Sequence, residues 1–234
     1  MNFKINSNIF QTFPGFIDGI VVVRNIDNSG TNSEITDLLR QIEKQTQELP
    51  GVGSVNDYPK IAAWREAHKK FGSSPKKYAP SIQALFRRVY KGGQLPNINK
   101  LVDLYNYLSL KYVIPAGGED LDACNDDIEL TFADGSEEFV ELGSTDNNSP
   151  EEGEVVYKDS KGVICRRFNW READRTKLTD QTKNAVIVFE ALPPSSREEL
   201  EKALNEMKEL VLKYCGGEAE ISILTQENPI AEIL

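Results

Sequence analysis

The residues best suited to chemistry in this chain lie in three separate stretches. CRRFNWRE (165–172) sets Arg166, Arg167 and Arg171 beside Asn169 and Trp170 at the end of a predicted strand. A guanidinium offers a planar fork for phosphate or carboxylate, and an indole offers a stacking face. Surface salt bridges explain one such arginine easily and three less so. Thr182 precedes a second apolar strand, AVIVFE, which ends on Glu190. A carboxylate in that position is either a rim residue or a pocket residue. In LVDLYNYLSL (101–110), Asp103, Asn106 and Ser109 follow at i, i+3 and i+6, close to one helical stripe bordering apolar positions. Polar groups there need partners, and a structural network accounts for them as well as a site does.

The usual catalytic strings are missing: there is no GxSxG, HExxH, GxxxxGK[ST] or strand-linked GxGxxG. The single histidine, His68, lies in a basic helix and reads as a surface or half-buried residue rather than a base. Cys124, Cys165 and Cys215 are far apart and odd in number, so neither a disulfide framework nor a tetrahedral metal site is expected. No cofactor and no metal are expected. An enzyme built from this inventory works by positioning, by carboxylates or through a bound water.

The formal charge of −10 argues against general nucleic-acid affinity, and DNA is not an expected partner. Its distribution is uneven. Nine basic residues between Lys60 and Lys91 stand against Glu66 alone, a balance of +8 that leaves −18 for the remainder. Arg65, Lys69, Lys70, Lys76, Lys77, Arg87 and Arg88 belong to this stretch; they are either solvated helix faces or one phosphate-binding face. No run approaches the ~20 apolar residues of a membrane span, and no export signal precedes the domain. A reducing, cytoplasmic setting is expected, with no membrane partner.

The positioning elements follow from periodicity. Residues 16–26 read as a buried strand. A helix capped by Ser33 or Thr31 runs to about Glu48 and is ended by Pro50 and Gly51. Further helices cover 57–70, a segment from Ser81, and 97–111, the last with Ile98 on its apolar face. His68 shares its stripe with Ile61, Trp64 and Phe71. Short strands are expected at 127–132, 137–142, 154–158, 162–167 and 185–190, with a mobile loop at 145–153. A helix from Ser195 to Lys213 and a strand near 219–225 close the chain. No repeat or linker divides it. The expectation is one α/β (α+β) domain, 1–234, with a central mixed β-sheet flanked by helices.

Taken in order, WREAHKKFG, KYAPSIQALFRRV, LPNINKLVDLYNYLSL, GEVVYKD and RRFNWRE resemble the freestanding B3/4 family over nearly residues 14–192. That family is similar to the B3/4 module of bacterial phenylalanyl-tRNA synthetase beta chains, which hydrolyses wrongly charged tyrosyl-tRNA. The resemblance implies a compact α/β domain of B3/4 architecture with a pocket at the junction of its halves. Val102, Asp103, Asn106 and Tyr107 match the family's VDxxNY element; Pro115 and Asp120 match the next, whose histidine position is Gly117. RRFNWR falls on a loop of small residues, and Thr182 and Glu190 match the threonine and glutamate elements. The implied function is trans-editing of mischarged aminoacyl-tRNA by ester hydrolysis, with canavanine, an arginine mimic, as one candidate amino acid. A non-catalytic tRNA- or amino-acid-binding module is the alternative. The implied roles give Glu190, Asn169 and Thr182 to catalysis. Arg167, Arg171, Trp170, Asn106 and Gly117 go to the substrate, and the basic stretch to the tRNA backbone.

Overall fold

The computed structural model of the chain describes residues 1–49 and 54–234. The stop assigned to Pro50 and Gly51 lies outside the described residues. In order, the elements are β1 (Asn2–Ile5), α1 (Ser7–Thr12), β2 (Ile17–Arg24), α2 (Ser33–Gln47), a short 3-10 turn (Val55–Asp57), α3 (Pro59–Lys70), α4 (Ser81–Tyr90) and α5 (Lys100–Tyr112). There follow β3 (Ala116–Asp120), β4 (Ile128–Phe132), β5 (Val155–Asp159), β6 (Gly162–Arg166), β7 (Arg171–Glu172), β8 (Ala185–Ala191), α6 (Arg197–Tyr214), β9 (Glu218–Leu224) and β10 (Ile230–Glu232). Among the described residues, no helix is long and apolar enough to cross a membrane.

Helix starts follow side-chain capping. Asn32, rather than Ser33 or Thr31, caps α2 by accepting from the N–H groups of Glu34 and Ile35. Asn99 caps α5, so Ile98 lies before the helix and is exposed. Ser196 and Glu199 form a reciprocal capping box on α6.

The α/β composition is as expected, but the strands divide between two sheets. One has six strands in the order β10-β1-β4-β5-β6-β7, mixed only because β1 and β4 run parallel. The other has four antiparallel strands, β3-β8-β2-β9. Residues 137–142 form no strand: Val140 and Glu141 make isolated bridges to Asn147 and Ala173. The segment expected to be mobile is held down, since Asn148 N donates to Phe139 O (2.7 Å) and Arg166 Nη1 to Asn148 O (2.8 Å).

The four-stranded sheet explains where a site can form. Every residue of β8 is buried, as expected of an apolar run covered on both faces. α6 covers one face, lying on β2, β8 and β9, while α5 packs on β3 and α6. The other face looks toward the six-stranded sheet, so polar residues there are enclosed between two sheets. Gly19 on β2 lets α6 come close: a Cβ at this position would stand 2.6 Å from Leu204 Cδ1. Gly19→Ala is expected to overpack this contact and destabilise by about 1–3 kcal/mol. A denaturant midpoint equal to the wild type would contradict the tight α6 contact.

Candidate functional site

Antiparallel register sets Asp18 on β2 directly opposite Glu190 on β8, both buried and both facing the six-stranded sheet. From that sheet Tyr157 on β5 reaches across, its Oη 2.7 Å from Glu190 Oε1 and 3.2 Å from Asp18 Oδ2. A phenol has one proton to give. Both contacts are satisfied when a protonated Asp18 donates to Tyr157 Oη and Tyr157 donates to the Glu190 carboxylate. Asn169 Nδ2 then donates the second bond to Glu190, at 2.6 Å.

Burial drives these acids toward their neutral forms. It raises the Asp18 carboxyl well above its usual range, and the neighbouring Glu190 raises it further. Burial pushes Glu190 up to about 7, against the opposing pull of Tyr157 and Asn169. A second acidic pair lies nearby. Glu119 on β3 is raised well above its usual range by burial and by Glu172, and burial pushes Glu172 on β7 up to about 7.

Apart from Asp18, these groups border a cavity of about 180 Å³ between the sheets. Glu190, Asn169 and Tyr157 form one part of its wall, and Gly117, Glu119 and Glu172 another. Trp170 and Arg171 complete its rim with Ser81, the first residue of α4. Those last three residues also line a second cavity of about 440 Å³, together with Lys77, Arg87, Arg88 and Asn106. An acidic hollow therefore adjoins a basic groove, with Ser81, Trp170 and Arg171 between them.

The backbone of the RRFNWR loop explains how Asn169 is aimed. Arg167 (φ 51°) and Phe168 (φ 67°) both adopt left-handed conformations, which glycine takes freely and larger residues rarely do. The surroundings hold them there. Phe168 is buried in T-shaped contact with Phe13, Phe16 and Trp64. Arg167 stacks on Tyr78 at 3.8 Å and pairs with Glu151 and Glu154. Asn169 Oδ1 accepts from Ser81 N at 3.3 Å, which leaves its amide pointing at Glu190.

The structure brings Glu190, Asn169, Gly117, Trp170 and Arg171 to one cavity and separates the other expected residues from it. Thr182 is not at the cavity: its hydroxyl donates to Asp120 Oδ2 (2.6 Å) and accepts from Thr179 N (2.9 Å), closing the turn before β8. Arg167 is not available to a ligand, because its guanidinium is buried against Glu154 and Tyr78. Arg166 is spent in the same way, in a two-bond ion pair with Glu154. Asn106 faces the basic groove instead of the acidic hollow. Its stripe partners are structural: Asp103 accepts from Asn97 and Ile98 N, and Ser109 donates to Ile114 O.

The basic stretch is split. Lys77, Arg87 and Arg88 line the groove and Lys76 is exposed. Arg65 bonds Gln83, Lys69 pairs with Glu66, and Lys70 bonds Thr12 O over the Phe13 ring, all away from the groove. His68 is fully buried, contrary to the surface or half-buried position expected, because the apolar stripe it shares with Ile61 and Trp64 decides its orientation. Burial pushes its imidazole down to about 4 and keeps it neutral. Tyr157, Asp18, Glu119, Glu172 and Ser81 escaped the sequence reading. The signal for Asp18 was its position inside FIDGIVVV, a lone carboxylate in an otherwise apolar strand.

The sequence model of one family, the B3/4 domain, matches residues 63–216. No curated protein matches the chain. Among solved structures, one similar chain is an N-terminal fragment of the phenylalanyl-tRNA synthetase beta-subunit from Pyrococcus horikoshii, with 13% sequence identity and a TM-score of 0.45. The match covers 94% of this chain and 49% of that one, so this chain spans about half the length of the fragment.

The raised acids give a pH signature. The stability that neutral Glu190 contributes is fully present below about pH 4.5 and is lost as pH rises through about 7. Glu190→Gln removes this loss. The melting temperature of the variant relative to the wild type is expected to be higher at pH 8 than at pH 5. A difference that does not change with pH would show that Glu190 is not held neutral by the fold.

Proposed function

The chain belongs to the B3/4 domain family, and we propose that it is a trans-acting deacylase that hydrolyses the ester of mischarged aminoacyl-tRNA. The observation that carries this reading is the junction of an acidic hollow, bearing Glu190 and Asn169, with a basic groove. The charged 3′ end of a tRNA has matching chemistry: a cationic amino acid at its tip and phosphates behind it.

In this reading the ionised Glu190 carboxylate holds the α-amine or a basic side chain of the amino acid. A guanidinium-like side chain such as that of canavanine suits it, because carboxylate and guanidinium match as paired donors and acceptors. Asn169, fixed by Ser81 and Glu190, orients the ester. Gly117 leaves room for the Glu172 carboxylate at the wall of the hollow. Trp170 stacks on the terminal base, while Arg171, Lys77, Arg87 and Arg88 meet the phosphates, with Asn106 as a polar contact in the groove. The ester is intrinsically labile, so holding it and a water in attacking geometry supplies much of the catalysis, up to roughly 7–11 kcal/mol in the best-oriented cases. The setting proposed for this work is the cytoplasm, and the whole chain is taken to act as a single domain.

Release of amino acid from a panel of mischarged tRNAs, canavanine-charged tRNA included, tests the reading. Loss of a charge-assisted hydrogen bond is worth about 1.5–3 kcal/mol, so Glu190→Gln is expected to slow deacylation roughly 10- to 150-fold. Replacing Arg87 and Arg88 by Ala is expected to weaken tRNA binding and to lower its salt dependence by about one logarithmic unit per lost contact. If the folded protein binds tRNA but releases no amino acid from any member, it is a binding module instead.

A further inference from the structure

Glu172 has a place in the hollow that the roles above leave unused. β7 is a two-residue strand on the edge of the six-stranded sheet, and it turns the Glu172 side chain toward β3 of the other sheet. There Gly117 makes room for it: a Cβ on residue 117 would stand 2.9 Å from Glu172 Oε1. The carboxylate therefore occupies the volume that any side chain at 117 would claim. It is half-buried and lines the cavity, whereas Glu119 beside it is almost fully buried and has an Oε2 without a hydrogen-bond partner. Gly117 pairs with Val188, so it lies diagonally across the β3–β8 ladder from Glu190, about 7–8 Å away on the same face.

We propose that Glu172, the carboxylate over Gly117, is the general base of the deacylation. The inference rests on the deacylase reading above. The Glu172 carboxylate takes a proton from water as the water oxygen bonds to the ester carbonyl carbon. The carbon–ribose oxygen bond then breaks, and the ribose oxygen takes the proton from Glu172. Water and ester become free acid and alcohol, and the base is regenerated. The other groups around Glu172 leave this role to it. Glu119 on β3 is the more deeply buried acid, and burial and the neighbouring Glu172 raise it well above its usual range, so it stays protonated. Tyr105 on α5 and Cys165 on β6 are raised far above neutrality and stay protonated. Burial holds Glu172 near 7, where a base retains affinity for a proton yet is substantially ionised at neutral pH.

The test uses the full-length protein and the charged tRNA it hydrolyses fastest. General base catalysis is worth about 10²–10⁴-fold, so Glu172→Gln is expected to lower kcat by about 100-fold or more with KM within about threefold. The rise of kcat through neutral pH should disappear with it, while Glu190 keeps its own part in the pH dependence of kcat/KM. Glu119→Gln, which puts a neutral amide in place of an acid that stays protonated, should keep that rise at about the same pH. Glu172→Gln activity within threefold of wild type, with the rise intact, overturns the role of Glu172 and leaves the deacylase reading standing. Should Glu172→Gln fail to fold, Glu172→Asp, which draws the carboxylate back by one methylene, overturns it instead if its kcat stays within threefold of wild type. A wild type inactive on every charged tRNA removes the deacylase reading and this role together.

Discussion

The structure turns on the removal of acidic side chains from water. Two sheets face each other, and strand register sets Asp18 against Glu190 on one of them while Tyr157 arrives from the other. Bringing two carboxylates so close in a dry interior is unfavourable unless they share a proton or gain donors. Here the phenol links them and the Asn169 amide supplies a further donor. The same logic recurs at Glu119 and Glu172, where the second sheet edge approaches a glycine. In the function proposed, the cationic amino acid restores to these carboxylates what burial withholds.

Holding the Asn169 amide in place requires backbone that is not free of strain. Two consecutive left-handed residues, Arg167 and Phe168, precede Asn169. Such conformations cost on the order of 1–3 kcal/mol each. They persist because Phe168 is locked into an aromatic cluster and Arg167 into a buried ion pair with Glu154. The arginines of this loop are therefore mostly structural. Trp170 and Arg171, which follow the strained pair, are the ones left facing the cavities. Anchoring residues first and presenting residues afterwards is a consequence of the turn itself.

The elements were largely legible in the sequence, because apolar periodicity and caps are local signals. Helices α2 to α6 and strands β2, β4, β5, β6, β8 and β9 fall close to their expected spans. The division into two sheets was not legible, since it depends on which strands pair across long stretches of chain. Short strands such as β1, β7 and β10 carry too few residues to show a period. At the site, Glu190 and Asn169 were readable as polar groups at the ends of strands. Thr182 was not, because a buried threonine that closes a turn and one that faces a ligand have the same sequence context. Glu172 and Glu119 meet only through the sheet-to-sheet approach, which no spacing records. His68 is buried because the stripe it shares with Ile61 and Trp64 outweighs the basic residues beside it in the sequence.

The direct measurement of the central claim is a crystal structure with a non-hydrolysable, amide-linked canavanyl-adenosine analogue. The account predicts a cationic nitrogen of the amino acid within hydrogen-bonding distance of Glu190, with the adenosine toward Trp170 and the groove of Arg87 and Arg88. An analogue seated elsewhere, with Glu190, Tyr157 and Asn169 still bonded only to one another, would contradict it.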